Sequence, residues 1–179
     1  MFYVSEPTPC APEAFQTELQ EKVYATLTKL EIPFSRVDTD EAITMDDCAA
    51  IDEKLDMKMV KTLFLCNRRH TSFYLFITAG DKPFRAKEFS AALGVSRLSF
   101  APPEQMARQL VTKIGAATVF SALLDSARDV QIVFDRDVLS QDWYGCSDGT
   151  TASYLKIRTE DIVRKFLPST GHGCQVIDE

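Results

Sequence analysis

Two apolar runs, Met59-Val60-Lys61-Thr62-Leu63-Phe64-Leu65-Cys66 and Phe73-Tyr74-Leu75-Phe76-Ile77-Thr78, flank the polar stretch Asn67-Arg68-Arg69-His70-Thr71-Ser72. Each run has strand length and is rich in β-branched and aromatic residues, and the interval between them has the character of a hairpin connection. Neither run alternates apolar with polar. Strands of that kind are covered on both faces. The pair therefore predicts central strands of a sheet with helices packed against it.

Working outward, Phe15, Leu19, Val23, Leu27 and Leu30 recur at spacings of three and four, predicting an amphipathic helix over 13–30. Ile32 to Val37 reads as a short strand, and 44–55 as a second helix with Thr44 as N-cap before Asp46 and Asp47. After the hairpin, Ala86 to Leu93 predicts a helix closed by Gly94, Leu98 to Ala101 a strand, and Pro103 the start of a helix through Leu110. Val130 to Phe134 and Ala152 to Ile157 are further strands, and a last helix opens at Thr159 and is ended by Pro168 and Gly171. Helices and strands are mixed without strict alternation. The expected class is α/β of the α+β type: one compact domain with a mixed central sheet surrounded by helices. Residues 1–12 read as an irregular lead-in, 13–172 as the domain, and 173–179 as a tail.

The 179 residues suit one domain with a full core, and 45% hydrophobic with 26% charged residues is ordinary for a globular protein. No apolar run approaches the roughly 18–20 residues that span a bilayer. The N-terminus lacks a basic region followed by an apolar stretch, so a cytoplasmic protein without a signal peptide is expected. The five cysteines are scattered with no Cys-x-x-Cys pair, and the histidines are His70 and His172 alone. A disulfide framework, a zinc site, another metal centre or a Cys–His dyad is therefore not expected, nor is any cofactor.

The net charge of −6 argues against a polyanionic partner until its distribution is read. Residues 1–53 carry 3 basic against 12 acidic side chains, whereas 54–97 carry 9 basic against Asp56, Asp81 and Glu88, a local balance of +6. That segment offers a docking patch for a polyanion, or a solvated basic face.

Lys61 stands out on physical grounds. On a strand it shares a face with Leu63 and Leu65. A lysine in a doubly apolar strand needs a carboxylate, a ligand or an opening to water, or it projects past the sheet edge. Lys113-Ile114-Gly115-Ala116-Ala117-Thr118-Val119-Phe120 is a run of small residues. It permits close backbone approach to a ligand held by main-chain N–H groups, and reads equally as a helix-to-loop junction. Trp143 to Thr151 reads as a polar loop before a strand; Asp148, Thr150 and Thr151 fit a pocket rim and also plain turn chemistry.

The succession Lys61-Thr62-Leu63-Phe64-Leu65, Gly80-Asp81-Lys82 and Ala92-Leu93-Gly94-Val95-Ser96-Arg97-Leu98-Ser99-Phe100-Ala101 resembles the YbaK-like superfamily. This superfamily includes the editing domain of bacterial prolyl-tRNA synthetase. Glu160-Asp161-Ile162 and Thr170-Gly171-His172 are similar to the free-standing prolyl-tRNA deacylase branch, and the likeness runs from about Phe15 to His172. The resemblance implies the editing-domain fold and hydrolysis of the ester of mischarged tRNA for proline, most typically alanyl-tRNA, with neither metal nor Ser-His-Asp triad. It implies that Lys61 contacts the terminal adenosine or its phosphate. It further implies that the loop from Gly115 through Ala116, Ala117 and Thr118 to Val119 cradles the aminoacyl group, and that Arg97 meets the acceptor stem. Lys61 and Gly115 are thus the expected catalytic residues. Ala116 to Val119, Asp148, Thr150 and Thr151 are expected to bind substrate. The implied partners are mischarged tRNA for proline and, in a transient complex, prolyl-tRNA synthetase or an elongation factor; neither membrane nor DNA is implied.

Two positions depart from the family pattern. The loop usually reads Gly-x-x-x-Pro, and Val119 stands at the proline; a later His-Pro pair is replaced within Gly145-Cys146-Ser147-Asp148. Altered amino-acid specificity, weaker catalysis or a binding-only module would each account for these changes. Hydrolysis of another small ester or amide by Cys146 or a threonine is a further alternative.

Overall fold

The computed structural model describes residues 1–42 and 44–178. The hairpin that anchors the sequence reading is present: β2 (Val60–Cys66) and β3 (Phe73–Ala79) pair antiparallel from Val60↔Ala79 to Cys66↔Phe73. The Asn67 side chain closes the connection by accepting from the N–H groups of Thr71 (2.8 Å) and Ser72 (3.1 Å). Around it run α1 (Glu18–Lys29), β1 (Phe34–Asp38), α2 (Met45–Leu55), α3 (Ala86–Leu93) and β4 (Ser99–Phe100). Then follow α4 (Pro103–Gln105), which widens into a π turn at Met106–Leu110, and two 3-10 turns at Val119–Leu123 and Asp125–Ala127. The chain finishes with β5 (Val130–Asp135), α5 (Arg136–Leu139), β6 (Trp143–Ser147), β7 (Ser153–Arg158), α6 (Thr159–Asp161), a second π turn at Ile162–Phe166, α7 (Leu167–Thr170) and β8 (Cys174–Ile177).

Five strands form a mixed sheet in the order β4-β2-β3-β5-β8, antiparallel around β2 and parallel from β3 through β5 to β8. One face carries Phe64, Leu75, Ile77, Ile132 and Phe134, packed with Leu19, Val23 and Leu27 of α1 and with Phe166. The other face carries Leu65, Phe76 and Val133 against Phe89 of α3. Both faces are covered, as the unbroken apolar runs require, and each fully buried Leu or Phe contributes about 1.5–3 kcal/mol.

A second sheet, absent from the sequence reading, is three-stranded and antiparallel in the order β1-β7-β6. Its strand β6 occupies part of the segment read as a polar loop. Gly, Ser and Asp gave that segment turn composition, yet Trp143 to Ser147 pairs along β7 and is buried from Tyr144 onward. Gly145 makes this possible. A Cβ there would lie 2.1 Å from Met57 Sδ, and the bare backbone instead forms a parallel bridge with Met59 that joins the two sheets.

Other boundaries follow from capping. α1 begins at Glu18 rather than residue 13 because Thr17 accepts from the Gln20 N–H at 3.0 Å. α2 has the expected Thr44 cap, completed by Asp47 into a capping box, and Gly94 closes α3 at φ +70°. Pro168 does not end the last helix; it lies in α7, which follows directly on the π turn at Ile162–Phe166, and Gly171, at φ +78°, ends the helix. Most of the expected tail is β8, paired with β5; Glu179, its last residue, lies outside the described residues. The lead-in also pairs, through Val4↔Thr39 and Thr8↔Arg36. No helix among the described residues is long and apolar enough to cross a membrane.

Candidate functional site

The strand β4 reaches only Leu65 and Cys66 of β2, so the N-terminal half of β2 presents an open edge. A cavity of about 740 Å³ opens there. Its walls come from Lys61 and Thr62 of β2, Cys48 and Asp52 of α2, Phe100 of β4, Met106, the loop residues Gly115 and Ala117, and Cys146 and Ser147 of β6. The Phe64 carbonyl accepts from Ala101 on the β4 side at 2.9 Å. By strand alternation, the N–H and C=O of Thr62 point the same way, toward the uncovered edge.

Lys61 pairs in register with Thr78 and is half-buried. Its ammonium donates to the main-chain carbonyl of Lys82. The alternatives left open by the sequence are thereby decided: a turn carbonyl holds the lysine at the cavity wall, leaving its charge without an acidic partner among the described residues. The turn is itself fixed. Lys82 Nζ lies 2.8 Å from Asp135 and 3.0 Å from Asp137, and Asp135, 1% exposed, also accepts from the Thr78 hydroxyl at 2.7 Å. Burial pushes the Asp135 carboxyl up, but Lys82, Thr78 and the Asp137 N–H outweigh it and hold Asp135 below its usual range. Burial likewise pulls the Lys82 ammonium down, and its two carboxylate partners more than reverse this, leaving it above its usual value.

Gly115 adopts φ +91°, a left-handed conformation that a side chain resists. It is exposed, and Ala117 half-buried, at the cavity wall; among the described residues nothing accepts from the Gly115 or Ala117 N–H. The rest of the predicted loop turns away. Ala116 and Val119 are fully buried, with Val119 opening a 3-10 turn in the core, and Thr118 is buried with its hydroxyl donating to the Ser147 carbonyl at 2.7 Å.

Asp148 is displaced further from its expected role. It is fully buried and accepts from Gln20 Nε2 (2.9 Å), Tyr24 OH (2.6 Å) and the Thr150 N–H and hydroxyl (3.1 and 2.8 Å). Burial raises its carboxyl pKa although these donors oppose the shift. One oxygen ties the loop to α1 and the other holds the loop to itself through Thr150. Thr150 and Thr151 line a second, more open cavity of about 850 Å³, on which Gln16, Thr17 and Thr112 also border. Ile114, 71% exposed, and Pro103 line both cavities, so the tip of the Gly115 loop divides them. Arg97 is exposed on the α3–β4 connection and lines neither cavity.

Asp52 escaped the sequence reading. One oxygen accepts from the Met59 N–H at 2.9 Å, and burial raises its pKa against the pull of that bond. It is one acid among several on α2, and no motif marks it. Cys146 is 2% exposed and burial pushes its thiol well up. A nucleophilic thiolate needs the opposite environment. No group of three or more potential metal ligands is brought together among the described residues. Of the nine basic residues in 54–97, Lys54, Lys58, Lys82 and Arg85 are ion-paired, while Lys61, Arg68, Arg69, Lys87 and Arg97 have no such partner among the described residues.

The chain is 25% identical over 162 residues to the prolyl-tRNA editing protein ProX of Acetoanaerobium sticklandii, covering 90% of this chain and 98% of that protein. It is 27% identical over 164 residues to the prolyl-tRNA synthetase associated domain-containing protein 1 of Danio rerio, covering 90% and 86%. In fold it is similar to a crystal structure described as a proposed trans-editing enzyme for prolyl tRNA synthetase, with TM-score 0.64 and 16% identity over 92% of this chain and 99% of that one. Residues 39–165, which carry Lys61, Gly115 and the whole wall of the cavity they share, match the sequence profile of the aminoacyl-tRNA editing domain. The chain belongs to the aminoacyl-tRNA editing domain family.

Proposed function

We propose that this protein is a trans-editing deacylase that hydrolyses the ester between a wrongly attached amino acid and the terminal ribose of tRNA for proline, with alanine as the residue removed. The observation that carries the reading is the meeting of Lys61 with Gly115 and Ala117 on one cavity, whose two thiols, Cys48 and Cys146, are both pushed up by burial. The names of the two relatives supply the tRNA for proline.

In this reading Lys61 offsets the phosphate charge of the terminal nucleotide and positions it. The Gly115 and Ala117 main-chain groups orient the aminoacyl group. Water attacks the ester carbonyl carbon, the bond to the ribose oxygen breaks, and that oxygen leaves as a hydroxyl carrying the proton water gives up. Thr118, through the Ser147 carbonyl, and Asp148, through α1, position the walls from beneath and do not touch the substrate.

The test is deacylation of tRNA for proline charged with alanine, serine, threonine or cysteine, with Lys61→Ala as control. Lys61 is half-buried on a strand, and the variant is expected to keep its fold. Loss of a hydrogen bond to a charged group should lower kcat/KM about 10- to 150-fold, the equivalent of about 1.5–3 kcal/mol. Selective alanyl hydrolysis that falls in the variant supports the reading. Tight, salt-sensitive tRNA binding without turnover would identify a binding module instead.

A further inference from the structure

Phe100 lines the same cavity as Lys61 yet is 60% exposed, on a two-residue edge strand. Its ring is backed on one side. Phe84 lies 5.5 Å away, centroid to centroid, tilted 58°, and Phe84 in turn packs on Phe89 at 5.7 Å. The ring is therefore held in place while most of its surface faces water. Two cations without an ion-pair partner among the described residues lie near it in the fold: Lys61 lines the same cavity, and Arg97, exposed, precedes Phe100 by three residues, whereas Lys58 on that wall is paired with Asp81. Phe100 pairs in register with Leu65, which shares a sheet face with Lys61 four residues back along β2. That separation is roughly 13 Å along the strand.

A fixed, exposed aromatic ring between unpaired cations is an arrangement that suits single-stranded nucleic acid: cations meet the phosphates and each aromatic face takes a base. We infer that Phe100 is a stacking platform for the unpaired base that precedes the terminal nucleotide of the substrate RNA. The inference rests on the proposed function, since it takes Lys61 as the contact to the terminal nucleotide. It adds a point of grip outside the aminoacyl pocket. Stacking is indifferent to base identity, so Phe100 contributes affinity and register, while the choice of amino acid stays with the cavity.

The experiment is a cycle of binding measurements at fixed salt, using an RNA hairpin that ends in a single-stranded CCA and the same hairpin with an abasic penultimate nucleotide. Wild type is expected to bind the abasic hairpin roughly 5- to 150-fold more weakly, the range that corresponds to about 1–3 kcal/mol per stacked base. Phe100→Ala should show the same loss on the intact hairpin and no further loss on the abasic one. Phe100→Trp should restore the difference. Equal discrimination by wild type and Phe100→Ala, or no effect of the abasic site on wild type, would overturn the platform. So would a Phe100→Ala variant whose sedimentation changes from dimer to monomer, because the ring would then serve a second copy of the chain. Turnover of the alanylated hairpin is scored separately. Coupling without turnover sinks the deacylase reading and keeps the platform; turnover without coupling does the reverse.

Discussion

The Lys61 ammonium donates to the main-chain carbonyl of Lys82, and the Lys82 side chain is clamped by Asp135 and Asp137. A buried carboxylate at the end of β5 thus fixes the turn that orients a lysine on β2. In the proposed mechanism this relay makes Asp135 a positioning residue that acts through Lys61.

Replacing Asp135 by Asn should lower stability by about 1.5–3 kcal/mol, because a charge-assisted bond to a largely buried ammonium is weakened. Deacylation should fall as well, by less than in Lys61→Ala. In the Lys61→Ala background the same replacement should cost no further activity. Urea denaturation and a double-mutant cycle in kcat/KM separate the two effects; additive losses would show that Asp135 acts on the fold alone.

The ion pair should also shape the pH dependence of stability. The folded pKa of Asp135 lies below its ordinary value of 3.8, so its contribution is complete above that value and is lost as pH falls through the depressed one. The folded pKa of Lys82 lies above 10.5, so its contribution is complete below that value and is lost as pH rises through the elevated one. Asp148 works in the opposite direction: its raised pKa means that ionising it, as pH climbs above 3.8, weakens the fold. Urea midpoints of wild type and Asp135→Asn should therefore converge at acid pH and stay separate near neutrality.

Gly115→Ala isolates the backbone of the loop. A Cβ at this position would find only Thr151 Cγ2, at 3.9 Å, so no steric clash opposes it. The left-handed φ of +91° does, at about 1–2 kcal/mol. The expected result is a modest fall in melting temperature together with a larger fall in deacylation, as the loop shifts toward negative φ. Unchanged activity would remove the loop conformation from the mechanism.

Val119→Pro should be tolerated, with stability changed by about 1 kcal/mol or less. Val119 is the first residue of its 3-10 turn, where no N–H partner is required, and the preceding Thr118 has φ −149° and ψ 149°, which a following proline favours. Thermal denaturation checks the stability, and deacylation shows whether the stiffer loop raises the rate.

The parts of this fold legible in the sequence are those whose cause is local. The apolar runs of β2 and β3, the Thr44 cap of α2 and Gly94 after α3 each carry their signal within a few residues. The resemblance placed Lys61 and Gly115 before any geometry was known, and both line the same cavity. The strand β6 was illegible because Gly145 and Ser147 give it turn composition, and β8 because it is short and its partner β5 is distant in the chain.

The orientation of side chains depended on the tertiary structure in the same way. Asp148 has the composition of a rim residue, and only the packing of α1 beneath it turns one of its oxygens inward to Gln20 and Tyr24. Lys61 needed a polar partner on any reading of its strand; that the partner is a turn carbonyl anchored by Asp135, 53 residues beyond Lys82, follows from the parallel pairing of β3 with β5. By itself the sequence determined the central hairpin, the class of fold and the family, because periodicity, caps and motifs are properties of neighbouring residues. Only the tertiary structure decided which groups face the cavity, because a buried polar atom takes whichever partner the folded chain brings within hydrogen-bond reach.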